Sequence, residues 1–474
     1  MSPSSPSTRA ARSPALVWLV AGAFFMELLD STVITTAMPQ MAHSFHTLPI
    51  RLSSGVSAYM LALAVFIPLS GWLADRFGPR QVFGAAIAIF SLASLLCSLS
   101  QSLWFFTAAR LLQGFGGAMM VPVGRLVVLR VTPKERLVHV IATLTWPALG
   151  APVLGPPLGG FITMHWGWRW IFLLNLPCGL IGVVLTALLV SGEAGGRRPF
   201  DITGFLLSGI GCCTLMYACD LASQVPFAVR QVGVVGVVSF ALLVAAWRHL
   251  RRSAHPLVPL DAFGIPTFAV AMGGGSLIRM AINSAPFLMP LMFQLAFGYD
   301  AATAGMLLLA LFAGNLCMKP ATTPLMRRWG FRRVLLVNGV LVALGFVLSM
   351  ALNAHTPASV IMAVLFFTGL GRSMQFTALS TFSFCDVPPV HMSGASTLSS
   401  VLQQMSAGLG IAVSAIALRV AELWFPAPAG VLAADAFRFA FACMALLSLV
   451  GLIGLYRMPA DAGALVSGAT QNQA

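Results

Sequence analysis

Charge is what this sequence has least of. Only 8% of its 474 residues are Asp, Glu, Lys or Arg, against roughly 25% in soluble domains, and that excludes a soluble globule. Acids are scarcer than bases, at 13 against 27. The eight cysteines form no CxxC pair and lie mostly inside apolar runs, where they read as small packing residues rather than a disulfide framework or metal centre. The eight histidines are scattered without ligand spacing. No GxxxxGK[ST] phosphate loop is present, so ATP is not expected as a direct driver. No nucleophile, base and orienting residue group together, so an enzyme is not expected, nor any metal or cofactor. The longest internal loop, 249–264, is too short for a soluble output domain.

What the sequence does have is apolar length. The chain is 58% hydrophobic, with a mean hydropathy of +0.90, and apolar runs of about 20 residues, enough to cross a bilayer, recur throughout. The expected class is an all-α polytopic membrane protein of fourteen transmembrane helices. The stretch behind the basic N-terminus is too long for a signal peptide and contains two acids, so residues 1–14 read as a cytoplasmic tail. The net charge of +14 does not indicate a nucleic-acid partner, because the bases are spread among short loops. With both termini cytoplasmic, seventeen Lys and Arg fall on the cytoplasmic side. Only Arg51, Arg169, Arg230 and Arg438 fall on the other.

An internal repeat shows at the loops. "LADRFGPRQVF" (73–83) aligns with "LMRRWGFRRVL" (325–335) at an offset of 252 residues. The expected organisation is a six-helix bundle over 15–191, an inserted helix pair over 201–248, a second six-helix bundle over 265–458 and a cytoplasmic tail over 459–474. Two such halves around a midplane site are a transporter architecture.

Three strings carry mechanism. In "GWLADRFGPR" (71–80), Gly71 permits close helix approach, Asp75 can accept hydrogen bonds, and Gly78 allows a tight reversal between Arg76 and Arg80. In "RLLQGFGGAMM" (110–120), Arg110 sits at a depth where arginine is expensive, and Gln113 shares its helix with glycines. In "APVLGPPLGG" (151–160), Gly155, Pro156, Gly159 and Gly160 remove hydrogen bonds and bulk, so the helix should bend and pack closely.

At these strings the chain resembles the major facilitator superfamily, in particular its fourteen-helix drug:proton antiporters of the EmrB/QacA type. That family carries "GxLADRxGRR", "RxxQGxG" and the antiporter string "GxxxGPxxGG". Its "LDxTVVNVALP" is similar to "LLDSTVITTAMP" in the first helix. "QFTALST" (375–381) and "RRWGFRR" suggest the MdtD/HsrA-like subgroup. Three departures stand out: Ala151 replaces the first Gly of the antiporter string, Thr35 and Thr36 replace Asn-Val, and Arg327 stands where the second repeat would match Asp75. The resemblance implies that Asp75 pairs with Arg130 and stabilises an outward-facing state. It also implies that the antiporter string seals the two halves together.

The membrane charges complete the reading. Asp30 and Arg110 both lie roughly 10–12 Å inside the outer boundary at about 1.5 Å per residue, so they can pair. Glu27 lies one turn deeper on the face of Asp30. Burial and a nearby arginine push a carboxylate's proton affinity in opposite directions, as a proton-coupled carrier needs. Glu27, Asp30 and Arg110 are the expected proton-coupling group. Lys319, near a helix end, is expected to snorkel. Arg279 and Arg372 lie too deep for that, and either reach Glu27 or Asp30 or meet an anionic substrate group. Trp146, Asn175, Asn283 and Gln375 are further cavity candidates. The expected protein is a proton-driven exporter of small molecules, of the multidrug or toxic-compound kind, in the bacterial inner membrane, working by alternating access and functional as a monomer. Its partners are protons, the substrate and the bilayer. An organic-anion exporter is the alternative, with a proton-coupled importer and a non-transporting sensor behind it.

Overall fold

The computed structural model describes residues 6–47, 52–191, 199–223, 229–424 and 434–458, and among these no strand occurs. Lipid offers no partner to backbone N–H and C=O groups, so an apolar chain satisfies them internally by forming helices. Both tails except residues 6–14 of the first helix, together with the loop arginines Arg51, Arg197 and Arg198, lie outside the described residues.

The N-terminal helices are α1 (Pro6–Ser44), α2 (Ser53–Phe66), α3 (Ser70–Phe77), α4 (Pro79–Leu99), α5 (Leu103–Val131), α6 (Leu137–Trp166), α7 (Arg169–Leu173) and α8 (Asn175–Leu189). Then come α9 (Ile202–Ser223) and α10 (Val229–Arg252). The C-terminal helices are α11 (Pro266–Met272), α12 (Gly274–Leu291), α13 (Ala301–Cys317), α14 (Lys319–Met350), α15 (Ala358–Phe382), α16 (Met392–Trp424) and α17 (Ala434–Tyr456).

Twelve stretches among the described residues are long and apolar enough to cross a membrane. Two shorter apolar helices, Leu137–Trp146 and Thr303–Cys317, stand where the sequence places its fifth and tenth spans. The second is short because α13 ends at Cys317 and α14 begins at Lys319.

The 252-residue repeat is visible in the backbone. Gly78 adopts φ 86°, ψ 141°, and its counterpart Gly330 adopts φ 73°, ψ 164°. This left-hand region is essentially reserved for glycine; Gly78 turns the chain between α3 and α4, and Gly330 breaks α14 into two helical stretches across a kink. Packing partners recur at the same offset. The pairs α1–α6, α2–α5 and α4–α8 have their counterparts in α12–α16, α13–α15 and α14–α17.

Hydrogen bonds between the N-terminal and C-terminal helices gather toward the end that carries the 71–80 loop. Ser393 donates to the Gly71 carbonyl (3.4 Å), Ser396 to the Pro122 carbonyl (2.8 Å), and the hydroxyls of Ser70 and Thr397 meet at 3.3 Å. Toward the opposite end, α9 packs against both α2 and α16, and a cavity of about 420 Å³ opens among the three. Met60, Met216, Asp220 and Gln404 contribute to its lining. At its start α9 is tied down by Asp201, which accepts from the Gly204 N–H (2.8 Å), the Leu257 N–H (3.2 Å) and His249 (2.8 Å). Burial pushes the Asp201 carboxyl up, but these bonds outweigh it and hold the group below its usual range.

Candidate functional site

Asp30 of α1 and Arg110 of α5 form a fully buried ion pair, with Nη1 donating to Oδ2 at 2.6 Å. The other carboxylate oxygen accepts from Gln113 Nε2 and from Asn175 Nδ2, both at 2.9 Å. Ser94 of α4 receives those same two amides at 2.7 and 3.1 Å. Arg110 Nη1 also donates to Gln113 Oε1 (2.6 Å), and its Cζ lies 4.3 Å from the centre of the Tyr59 ring. Four helices thus share one hydrogen-bond network about the Asp30 carboxylate, and α2 adds the Tyr59 ring against Arg110. Hydrogen bonds of this kind make a buried pair tolerable, since desolvation alone would outweigh its Coulomb attraction.

Glu27 stands apart from this network. Its Oε2 is buried without a hydrogen-bond partner, as is the Tyr59 hydroxyl. Both groups lie close to the point a Cβ on Gly117 would occupy, at 3.5 Å from Glu27 Cδ and 3.1 Å from Tyr59 Oη. The glycine of the Arg110 string therefore makes the space in which the second acid sits.

The C-terminal helices carry a different population. Arg279 of α12 is 1% exposed and donates only Nη1, to the Ala271 carbonyl (3.4 Å), leaving Nε and Nη2 buried and unpartnered. Arg372 of α15 donates to the carbonyl of Ile282, one turn along α12 (3.2 Å). Arg125 of α5 donates to Ser399 Oγ of α16 (3.3 Å), and its Cζ lies 5.9 Å from the centre of the Phe384 ring. Lys319 Nζ donates to Thr145 of α6 and Thr377 of α15, each at 2.7 Å.

These contacts correct several expectations. Lys319 does not snorkel, because its ammonium is held between two threonines and is buried. Arg279 and Arg372 reach neither Glu27 nor Asp30: among the described residues no carboxylate lies within ion-pair distance of either. Asn175 belongs to the Asp30 network rather than a substrate cavity. Gln375 is committed to packing, since its Oε1 accepts from Asn338 (2.8 Å) and its amide donates to the Leu335 carbonyl (3.3 Å). Trp146 is 47% exposed, one residue from Thr145, and Asn283 is half-buried, one turn beyond Arg279.

The loop string is assembled as expected in one respect. Arg130 Nη2 meets Asp75 Oδ1 at 3.2 Å, with both side chains about one-third exposed. Arg80 donates to the Ala187 carbonyl (2.5 Å), Arg76 lies 5.8 Å from the Trp72 ring centre, and a Cβ on Gly71 would strike Thr397 Oγ1 at 2.6 Å. The antiporter string is placed differently from expectation. Gly155 faces Thr32 and Gly159 faces Val33 and Thr36, so these glycines bring α6 against α1 rather than against the C-terminal helices. Nothing lies within 4 Å of a Cβ on Gly160, and the Pro156 side chain is outside the described residues. Small residues on α6 pack where α1 presents its β-branched threonines, which fixes the seat of Asp30 one turn away.

Sequence reasoning missed Tyr59, Ser94 and Arg125. The first two are ordinary residues in apolar helices. Arg125 had a legible sign: a basic residue inside "VPVGRLVVLR", five positions before Arg130 on the same helix.

Comparison with known proteins supplies the remaining observation. A model of the Major Facilitator Superfamily matches residues 20–415. The chain is 38% identical over 405 residues to a protein of Pectobacterium carotovorum named multidrug resistance protein MdtD, covering 85% of this chain and 86% of the relative. The protein of that name in Serratia proteamaculans is 35% identical over 449 residues, covering 94% and 93%. Among solved structures, the proton:xylose symporter XylE aligns with a TM-score of 0.66 at 14% identity, covering 98% of this chain and 100% of that one. The human organic anion transporter MFSD10 aligns at 0.63, also at 14% identity, covering 95% and 100%. At that identity both speak to the fold alone. The chain belongs to the major facilitator superfamily.

Proposed function

We propose that this protein is a proton-coupled exporter of small molecules in the bacterial inner membrane, of the multidrug efflux kind that its relatives' names describe. Fourteen membrane helices would be arranged as two six-helix halves (15–191 and 265–458) around an inserted pair (201–248), with both termini cytoplasmic. The carrier acts as a monomer, driven by the proton gradient without a bound cofactor and without catalysing a chemical conversion. Alternating access would open and close the two ends in turn. The gathering of inter-half bonds near the Asp75–Arg130 pair corresponds to the outward-facing state, with the cytoplasmic end shut.

One observation carries the coupling proposal: two acids a turn apart on α1 have opposite surroundings. Asp30 is saturated by donors and serves as the fixed counter-charge of Arg110. Glu27 has an oxygen with no partner, so it can take up or release a proton without dismantling any hydrogen bond. We assign the exchangeable proton to Glu27 and the positioning of α1 to Asp30.

The test is proton movement in inverted vesicles containing the protein, measured as dequenching of a pH dye on addition of candidate substrates. Glu27→Gln should assemble normally yet release no protons. Retained proton release in that variant would remove Glu27 from the role. A second reading, export of an organic anion rather than a cation, is favoured by Arg279, whose Nε and Nη2 are buried without a partner.

A further inference from the structure

We propose that the cargo is an organic oxyanion, a carboxylate or phosphate, gripped by Arg279 and Arg372 with charge added by Arg125 and Lys319. This rests on the export reading above and specifies what is exported.

The first argument is the edge that Arg279 leaves free. A guanidinium binds an oxyanion side-on through Nε–H and one Nη–H, two parallel donors matched to two oxygens. In Arg279 the Nη1 group is anchored on the Ala271 carbonyl, while Nε and Nη2, which form that edge, are buried and unpartnered. Arg110 leaves the same edge free, but Asp30 answers its charge and Tyr59 covers its face. Arg279 has neither an acid nor an aromatic ring against it among the described contacts.

The second argument is charge. Arg372 touches α12 one turn from Arg279, Lys319 bridges α6 and α15, and Arg125 donates to Ser399 of α16, the helix packed against α12. Four cations thus collect where α5, α12, α14 and α15 approach α6 and α16. Like charges withdrawn from water, as Arg279 and Lys319 are fully and Arg125 and Arg372 partly, are tolerated when something neutralises them, and among the described residues no carboxylate lies within ion-pair distance of these four. Asn315 adds a neutral element. Both polar atoms of its side chain are buried without a partner on α13, whose backbone there meets α15 at Gly369, one turn from Arg372.

The third argument is the break in the helix at the anchor. Ala271 belongs to α11, and Gly273, with φ −80° and ψ −90°, breaks the helix before α12 begins. A shift at this break moves the carbonyl that holds Arg279. Arg279 is shut in, so an anion reaches it only when the surrounding helices part, which alternating access provides.

The experiment uses the purified full-length protein in detergent and follows its thermal unfolding with inorganic phosphate, succinate, benzoate and, as the cationic control, tetraphenylphosphonium. At least one anion should raise the melting temperature saturably. Arg279→Gln and Arg372→Gln should weaken that anion by about tenfold or more, the scale of a lost charge-assisted pair. Arg279→Lys, which keeps the charge but not the fork, should fall between. Arg372→Gln, at a half-buried position, stands in if Arg279→Gln does not fold. The proposal is overturned if tetraphenylphosphonium alone binds, or if anion affinity is unchanged in a folded Arg279→Gln or Arg372→Gln. Proton release accompanying tetraphenylphosphonium transport by vesicles that bind no anion would leave export standing and remove only the anion. Anion binding that depends on Arg279 without proton movement in vesicles would keep the site and remove the antiport reading.

Discussion

Around α1 the protein answers its own charge, and around α12 it does not. Arg110 meets Asp30 within a hydrogen-bond network drawn from four helices, whereas Arg279 meets one carbonyl and, among the described residues, no acid. The two regions are related by the 252-residue repeat, which places Arg279 opposite Glu27. Equivalent helices have therefore kept their backbone relation and diverged in charge. A charge satisfied from within holds helices in place. A charge left open is suited to something that arrives and departs.

The sharpest way to break this comparison is to unpair one side. Asp30→Ala would strand Arg110 in a buried site, and the expected loss is about 3–5 kcal/mol of stability, read as a collapse in yield and melting temperature. An Asp30→Ala protein as stable as the wild type would show that the network is not what holds α1. Glu27→Gln comes next. It should leave the melting temperature within a few degrees while abolishing substrate-induced proton release. On the other side of the comparison, Arg279→Leu should be neutral or stabilising, by up to about 1–4 kcal/mol, because it deletes an unanswered charge. The matching Arg110→Leu should destabilise by leaving Asp30 unpaired. If both substitutions destabilise equally, the contrast between the regions fails.

Smaller effects sharpen the repeat itself. Gly78→Ala and Gly330→Ala should each cost about 1–3 kcal/mol, since both demand a backbone that L-residues resist, and the two melting temperatures should fall together. The least effect is expected from Asp201. Its carboxyl titrates below the usual range in the fold, so its stabilising contribution is present above the unfolded value of about 3.9 and is lost as pH falls through the folded one. The protection of amides at the start of α9, that is, exchange relative to the intrinsic rate at each pH, should therefore be unchanged between pH 8 and pH 6 in the wild type. Exchange there should be faster in Asp201→Asn throughout that range.

Much of this was legible in the residues, for reasons that are physical. Lipid leaves so few options that apolar length alone dictates helices, and the loop glycines Gly78 and Gly330 announce their reversals because no other residue relaxes there. Asp30 and Arg110 could be matched by depth because rise per residue is constant along a helix. Rotation about the helix axis was harder to read. Asn175 and Gln375 are polar residues at plausible depths, yet both point into helix contacts. The glycines of the 151–160 string announced close packing, but only the fold shows that the neighbour is α1. Tyr59 and Ser94 carry no sequence mark, since their roles exist only once five helices converge.

The helix α9 touches α2 on one side and α16 on the other, with Met216 lying against Gly408 and Val65 against Gly209. If the halves rock, the seam between α2 and α16 changes width, and α9 cannot keep both contacts unaltered. Its two faces then behave as a gasket laid across an expansion joint. The flexible side chains of Met60 and Met216, which line the cavity at that joint, can follow a gap of changing width. A carrier that depends on a proton gradient dissipates it through any leak, so the inserted pair would guard the membrane's electrical resistance while the machine moves.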